Sequence, residues 1–368
     1  MDAGKRCIDL GGRYHEKSTF YFDSRLPGCF PCCLWQHCSS SAASAADSTA
    51  SSAAESTAAS DTAAADGQTY KVGICQLVQH VALDAATQGF KDALTEQLGD
   101  AVTFEEKNAQ GDSNTCTTII NGFVSDNVDL ILANATPALQ AAQAGTNTIP
   151  VLGTSVTEYG VALGIDDFDG LVGTNISGTS DLAPLDEQAG IIKELFPDAK
   201  TVGLLYCSAE PNSQYQVDTV KASLEELGYT CEYYAFSDSN DLATVCQSAA
   251  DASDVIYVPT DNTVANNTEI VNNICQPAGV PVVAGEEGIM GGCGVATLSI
   301  SYYDLGVATG KMAAKILTGE SKVEEMPIEY APKFTKEYNP TIAEALGITI
   351  PDDYVAYEAK QPERPALI

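Results

Sequence analysis

The groups in this chain that could grip a small molecule recur at one kind of place, directly after a short apolar, β-branched run. KVGICQL (71–77) leads into Val78-Gln79-His80-Val81-Ala82-Leu83-Asp84, and DLILA (129–133) into Asn134-Ala135-Thr136-Pro137. PVLG (150–153) leads into Thr154-Ser155-Val156-Thr157, and Ser180-Asp181 stands at a further junction. TVGLLYC (201–207) leads into Ser208-Ala209-Glu210-Pro211-Asn212, VIYV (255–258) into Pro259-Thr260-Asp261-Asn262, and PVVAG (281–285) into Glu286-Glu287-Gly288. Hydroxyls, amides, carboxylates and one imidazole hold ligands by hydrogen bonds and charge. Covalent chemistry needs more. Beyond residue 39 the only histidine is His80 and there is no G-x-S-x-G elbow, so a hydrolase would lack a partnered nucleophile. QLVQHVALD after the first apolar run is neither G-x-G-x-x-G nor a P-loop. No cofactor is expected.

The elements that must position these groups follow from the pattern. Strands buried on both faces read as continuous Val/Ile/Leu runs, and helical periods lie between them: Phe90, Leu94, Leu98; Val217, Val220, Leu224, Leu227; Leu305, Ala308, Met312, Ile316. Gly99, Gly228 and Gly279 suit left-handed helix C-caps, and Thr136 suits an N-cap ahead of Pro137. Strand alternating with helix specifies βαβ units and parallel sheets. Strands are expected near 71–77, 102–108, 129–134, 150–155 and 170–177, then near 201–207, 230–236, 255–259 and 281–286. About 300 residues is long for one core and argues for two lobes. The expected division is 69–180 plus about 288–320 for lobe 1 and 181–287 plus about 321–358 for lobe 2, with 359–368 a tail. VATLSIS (295–301) and a helix over 302–318 are expected to cross back to lobe 1, and IEYAPKFTKEYN (328–339) to return to lobe 2. The fold class is α/β: two Rossmann-like lobes with parallel sheets joined by a multi-strand hinge, able to close on a ligand at the carboxyl ends of the strands.

QLVQHVALD, NAQGD, ATPALQ, GTSVT, GTSDLAP, AEPNSQYQV, VPTDNTV and SYYDLGVATGKMA occur in this order. Together they resemble the substrate-binding lipoproteins of a bacterial ABC importer group, the tryptophan/tyrosine or TrpX-like binding proteins of the type I periplasmic-binding-protein fold. The resemblance spans roughly residues 69–358. It implies a non-enzymatic receptor that closes around an amino acid, often an aromatic one, and docks on a membrane permease. This chain departs from the pattern in Cys75 and Cys207 and in GEEGIMGGCG (285–294), which bears on a ligand contact at 286–287. A sugar or nucleoside ligand is the alternative, and an α/β enzyme a further one. A transcription regulator on this fold would need a basic helix-turn-helix where the chain has a Ser/Ala/Asp-rich stretch.

For a zwitterionic ligand the composition has a consequence. The one arginine beyond residue 39 is Arg364, in the tail, so no guanidinium fork can take a carboxylate. Hydroxyls and helix N-termini must do so instead, with Thr136, Thr154, Ser155, Thr157 and Ser180 as candidates. The ammonium needs an anion: Asp261 is the first choice, then Glu286 and Asp181, with helix capping as the other role open to each. His80, Asn134, Asn212 and Asn262 complete the expected cleft, with Asp84 as a further contact, cap or hinge. Tyr215 and Tyr159 could stack on an aromatic ligand, while Tyr302 and Tyr303 suit hinge or core.

Residues 39–66 are only Ser, Ala, Thr, Asp and Glu and cannot pack a core, which makes 39–68 a disordered linker by composition. Residues 1–38 carry Glu16, Asp23 and Arg25 where a signal peptide would be apolar. A zinc reading of Cys29, Cys32, Cys33, His37 and Cys38 lacks a supporting scaffold. Shifted by one base, however, the codons of His15-Glu16-Lys17 can read Met-Lys-Lys, and those of Pro31 through Gln36 can read Leu-Ala-Ala-Cys-Gly-Ser, a lipoprotein cleavage box. The expectation is a frameshifted signal region and a lipid-anchored, extracytoplasmic, monomeric receptor. The net charge of -32 argues against nucleic acid as a partner. Seven cysteines follow residue 67, an odd number that suits buried free thiols, with Cys246 and Cys275 the one candidate disulfide.

Overall fold

The computed structural model describes residues 68–331 and 333–358. The signal region, most of the linker and the tail lie outside the described residues. The first lobe runs β1 (Tyr70–Gln76), α1 (Val81–Leu98), β2 (Val102–Asn108), α2 (Ser113–Ser125), β3 (Leu130–Asn134), α3 (Thr136–Gly145), β4 (Val151–Val156), α4 (Tyr159–Leu163) and β5 (Ile176–Ser180). The second continues α5 (Leu185–Leu195), β6 (Thr201–Cys207), α6 (Pro211–Glu226), β7 (Thr230–Phe236), α7 (Ser239–Ala252), β8 (Val255–Val258), α8 (Asn262–Ala265), α9 (Thr268–Ala278), β9 (Val282–Ala284), α10 (Glu287–Cys293) and β10 (Ala296–Ser299). Last come α11 (Tyr302–Leu317), β11 (Glu329–Tyr330), β12 (Thr335–Tyr338), α12 (Pro340–Leu346) and β13 (Val355–Ala356).

The strands form two sheets, ordered β11-β5-β4-β3-β1-β2 and β13-β12-β10-β9-β8-β6-β7. Pairing is parallel throughout except where β12 runs antiparallel to β10. Val72, Ile74, Leu130, Ile131 and Leu132 are fully buried in the first sheet, and Val202, Leu204, Ile256 and Val283 in the second. That is why these strands read as unbroken apolar runs and not as alternating ones. The chain passes between the lobes after β5, after β10 and between β11 and β12, the multi-strand hinge of the type I architecture.

Four expectations are corrected. The strand placed at 170–177 lies at 176–180, because Gly170 and Gly173 take φ of 98° and 70° and hold the preceding segment as a loop. VATLSIS does not cross to the first lobe: β10 pairs with β9, Ala296 opposite Val283, and only the helix after it changes lobe. The run 328–339 is split, since β11 pairs with β5 in the first sheet and β12 with β10 in the second. Thr136 is also no cap. It is the first residue of α3, whose N-cap position is Ala135 at φ 91°.

Helix α11 returns to the first lobe by packing on α1 at unusually short range. A Cβ on Gly89 would lie 2.1 Å from the Tyr303 carbonyl oxygen, and one on Gly306 2.0 Å from that of Ala86. The two glycines let the helix backbones touch, which sets Tyr302 at the start of α11 close to the start of α1. Cys246 and Cys275 bring their sulfurs to 3.6 Å as free thiols, and all seven described cysteines are buried. Among the described residues no helix is long and apolar enough to cross a membrane.

Candidate functional site

Between the carboxyl ends of the two sheets lies a narrow, polar-lined cleft. From the first lobe its wall takes His80, Ala82 and Leu83 at the start of α1, Ser155 and Thr157 at the end of β4, Asp181 after β5, and Tyr302. From the second it takes Asn212 at the start of α6, Thr260, Asp261, Asn262 and Ala265 after β8, and Glu286 after β9. No lysine or arginine contributes to this wall.

Its three carboxylates differ in what they already hold. Asp261 Oδ1 accepts from Val264 N at 2.9 Å and Oδ2 from Cys207 N at 2.7 Å, so both oxygens are committed to capping α8 and fixing the end of β6. Burial and the neighbouring Glu210 charge push its carboxyl up to about 8. Glu286 accepts from Gly288 N and Ile289 N as the cap of α10, and burial pushes it up to about 7. Asp181 caps no helix: its Oδ2 accepts from the Tyr302 hydroxyl at 3.0 Å, the Thr157 hydroxyl faces its carboxylate, and no bond of good geometry closes on its buried Oδ1. Burial raises its carboxyl to about 6. Of the three, only Asp181 keeps a buried carboxylate oxygen outside the cap and strand-end bonds that occupy Asp261 and Glu286. The reason is local: α8 begins at Asn262, directly after Asp261, whereas α5 begins only at Leu185 with Pro184 at its N-cap.

Three further buried atoms on the wall lack a partner: His80 Nδ1, Ser155 Oγ and Asn212 Oδ1. Ser155 sits at φ 54°, where the pairing of β4 with β5 breaks register between Gly153 and Val156. Such a bulge redirects a side chain from the sheet face toward the strand end. His80 occupies the N-cap of α1 but its side chain caps nothing, which leaves the first turn of this 18-residue helix without a side-chain cap on the same cleft wall that carries Ser155. Its Nε2 instead meets Asn262 Oδ1 at 3.2 Å across the cleft, and burial lowers the imidazole to about 4.

Six expected site residues lie off the wall. Asn134 donates to the Leu83 carbonyl and to Thr87 Oγ1, both at 2.9 Å, and so braces the start of α1 from beneath. Ser180 Oγ donates to the Thr157 carbonyl at 2.7 Å. Thr154 belongs to a buried hydroxyl cluster with Thr179 and Thr309. Thr136 is buried within α3. Asp84 is exposed and accepts from Gln76 Nε2 at 2.7 Å, and Tyr215 packs against the second-lobe core. Sequence reasoning missed Glu210. This buried carboxylate takes Asn262 N at 3.0 Å, Asn262 Nδ2 at 2.8 Å, Thr263 N at 2.9 Å and Thr263 Oγ1 at 2.8 Å, and so organises the α8 turn from the neighbouring strand end. Its place after β6 was the available signal. Thr260, Ala265, Ala82 and Leu83 were missed too, and Tyr302, expected as hinge or core, faces the cavity.

The family model for ABC transporter substrate binding proteins matches residues 71–361. The chain belongs to this family. A tyrosine-binding protein of Clostridioides difficile (strain R20291) is 36% identical over 260 residues, 70% of this chain and 75% of that protein. Among solved structures, an ABC domain in complex with L-Trp from Streptococcus pneumoniae is 34% identical with a TM-score of 0.74, covering 77% of this chain and 97% of that one. The ligand-free, open structure of a substrate binding protein with adhesive properties from Clostridium difficile is 38% identical, covering 79% of this chain and all of that one, yet its TM-score is 0.61. The nearer sequence is thus the poorer superposition. In this substrate-binding protein a His80 Nε2–Asn262 Oδ1 contact of 3.2 Å bridges the two lobes across the cleft. Family members bind small molecules outside the cytoplasm and work with membrane permeases.

Proposed function

We propose that this substrate-binding protein is a monomeric receptor, not an enzyme, that closes on a zwitterionic amino acid with an aromatic side chain and delivers it to its permease. The observation that carries the reading is the set of unpartnered polar atoms on the cavity wall. Asp181 Oδ1 is a buried anionic acceptor with no cation in the wall to meet it, which suits an ammonium group. Ser155 Oγ and the uncapped start of α1 are donors that suit a carboxylate. The relatives that bind tyrosine and tryptophan support an aromatic side chain. The site residues act as contacts (Asp181, Ser155, Thr157, Asn212, Tyr302) or as bracing behind them (Asn134, Ser180, Thr154, Glu210).

A ligand that binds the folded protein raises its melting temperature. In a thermal-shift panel of the twenty amino acids, sugars and nucleosides, L-tyrosine or L-tryptophan should stabilise most. Stabilisation by a sugar or nucleoside alone would overturn the reading. The proposed lipid tether rests on the composition of 39–66 and the shifted reading of the leading residues. It is tested by mass spectrometry of the membrane-bound form for a diacylglycerol-modified cysteine.

A further inference from the structure

We propose that Asn212 selects the ligand's side chain by accepting a hydrogen bond from a ring O–H or N–H, so that the cleft takes tyrosine and tryptophan and rejects phenylalanine. The proposal rests on the amino-acid reading above. Asn212 is the second residue of α6, is 4% exposed and lines the cavity. Its Nδ2 donates to the Thr260 carbonyl at 3.0 Å, with Glu210 Oε2 and Ser213 Oγ each at 3.4 Å. A carbonyl and a carboxylate can only accept. Flipping the amide would set Oδ1 against both, so the network fixes Nδ2 on that side and leaves Oδ1 for the cavity. Oδ1 has no partner.

The other polar groups on the second-lobe wall are already occupied. Asn262 meets His80 with Oδ1 and gives Nδ2 to Glu210, Thr260 Oγ1 donates to the Gly285 carbonyl, and Asp261 and Glu286 each cap a helix. Asn212 Oδ1 is therefore the one acceptor there that asks for a donor. The groups suited to the ligand's charged head, Asp181, Ser155 and the start of α1, all belong to the first lobe. Asn212 lines the same cleft from the opposite lobe, where the side chain of a ligand held by that head group would meet it. Tyrosine and tryptophan each end in a donor, and phenylalanine has none. Burying a phenyl ring there would leave the amide oxygen without water or partner, and a site built around a polar group rejects the ligand lacking it far more strongly than a site sensing only size.

Calorimetry on the full chain with tyrosine, tryptophan, phenylalanine and 4-fluorophenylalanine tests this. The fluorinated ring nearly matches tyrosine in shape but cannot donate. Both non-donors should bind roughly 10- to 100-fold more weakly than tyrosine. In Asn212→Ala, tyrosine and tryptophan should fall toward the non-donors and the gap should close. Should the variant not fold, the four ligands on the unaltered protein still decide. Phenylalanine or 4-fluorophenylalanine binding within about threefold of tyrosine overturns the role of Asn212 while leaving the amino-acid reading intact. Binding of none of the four overturns both.

Discussion

Asp181→Asn should move affinity and stability in opposite directions. The side chain is 4% exposed and no positive group neutralises it, and burial raises its carboxyl from 3.8 to about 6. A carboxyl that is a weaker acid in the folded state than in the unfolded one holds its proton more tightly when folded. Ionising it costs stability as pH rises from about 4 through about 6, and that cost persists at neutral pH. The rise is worth about 3 kcal/mol, so the neutral amide should raise the melting temperature of ligand-free protein at pH ~7. Binding should suffer, because losing one partner of a buried charge-assisted pair costs roughly 2–5 kcal/mol, at least about 30-fold in affinity. The unaltered protein should bind best above about pH 7 and about tenfold less well at pH ~5, where most of Asp181 is protonated. The groups facing Asp181 are Tyr302, Thr157, the buried Tyr159 phenol and Glu286, and Glu286 titrates in a similar range. The variant isolates the contribution of Asp181. Calorimetry and thermal melts from about pH 5 to about pH 8 supply both readouts. If Asp181→Asn kept wild-type affinity and the same pH profile, the ammonium would be held elsewhere.

Asp261→Asn, by contrast, should weaken binding less than Asp181→Asn and should cost about 1 kcal/mol of stability, because the amide oxygen can still cap α8 but its nitrogen cannot accept from Cys207 N, measured by the same melts; a larger affinity loss than that of Asp181→Asn would restore Asp261 as the ammonium partner. Ser155→Ala should weaken binding of the free amino acid more than that of its amide, since charge-assisted bonds are about twice as strong as neutral ones. Thr154→Val, behind the wall, should change both alike, and parallel calorimetry of acid and amide separates the two outcomes. His80→Ala removes the bond to Asn262 at 3.2 Å. It should speed ligand release by about fivefold for a loss near 1 kcal/mol; unchanged release in stopped-flow displacement would show that this bond does not hold the lobes together.

The α/β class and most strand positions were legible because strands buried on both faces must be apolar along their whole length, and Val72 to Ile74 or Val255 to Val258 could not be otherwise. The polar strand ends were legible for a related reason, since side chains just past a buried strand stand at the rim where the two sheets face each other. Eight of the expected residues do line the cavity: His80, Ser155, Thr157, Asp181, Asn212, Asp261, Asn262 and Glu286. Which of them is free to meet a ligand was not legible. Asp181, Asp261 and Glu286 look alike as acids after apolar runs. They differ only in whether a helix starts next to them and which backbone N–H groups come within reach. The same limit hid the lobe assignment of β10, which depends on a pairing with β9 rather than on its own residues. It hid Glu210 as well, whose partners come from a turn more than fifty positions away. Local sequence determines which segments are buried and which are polar. Hydrogen-bond satisfaction belongs to pairs of groups, and only the tertiary structure brings those pairs together.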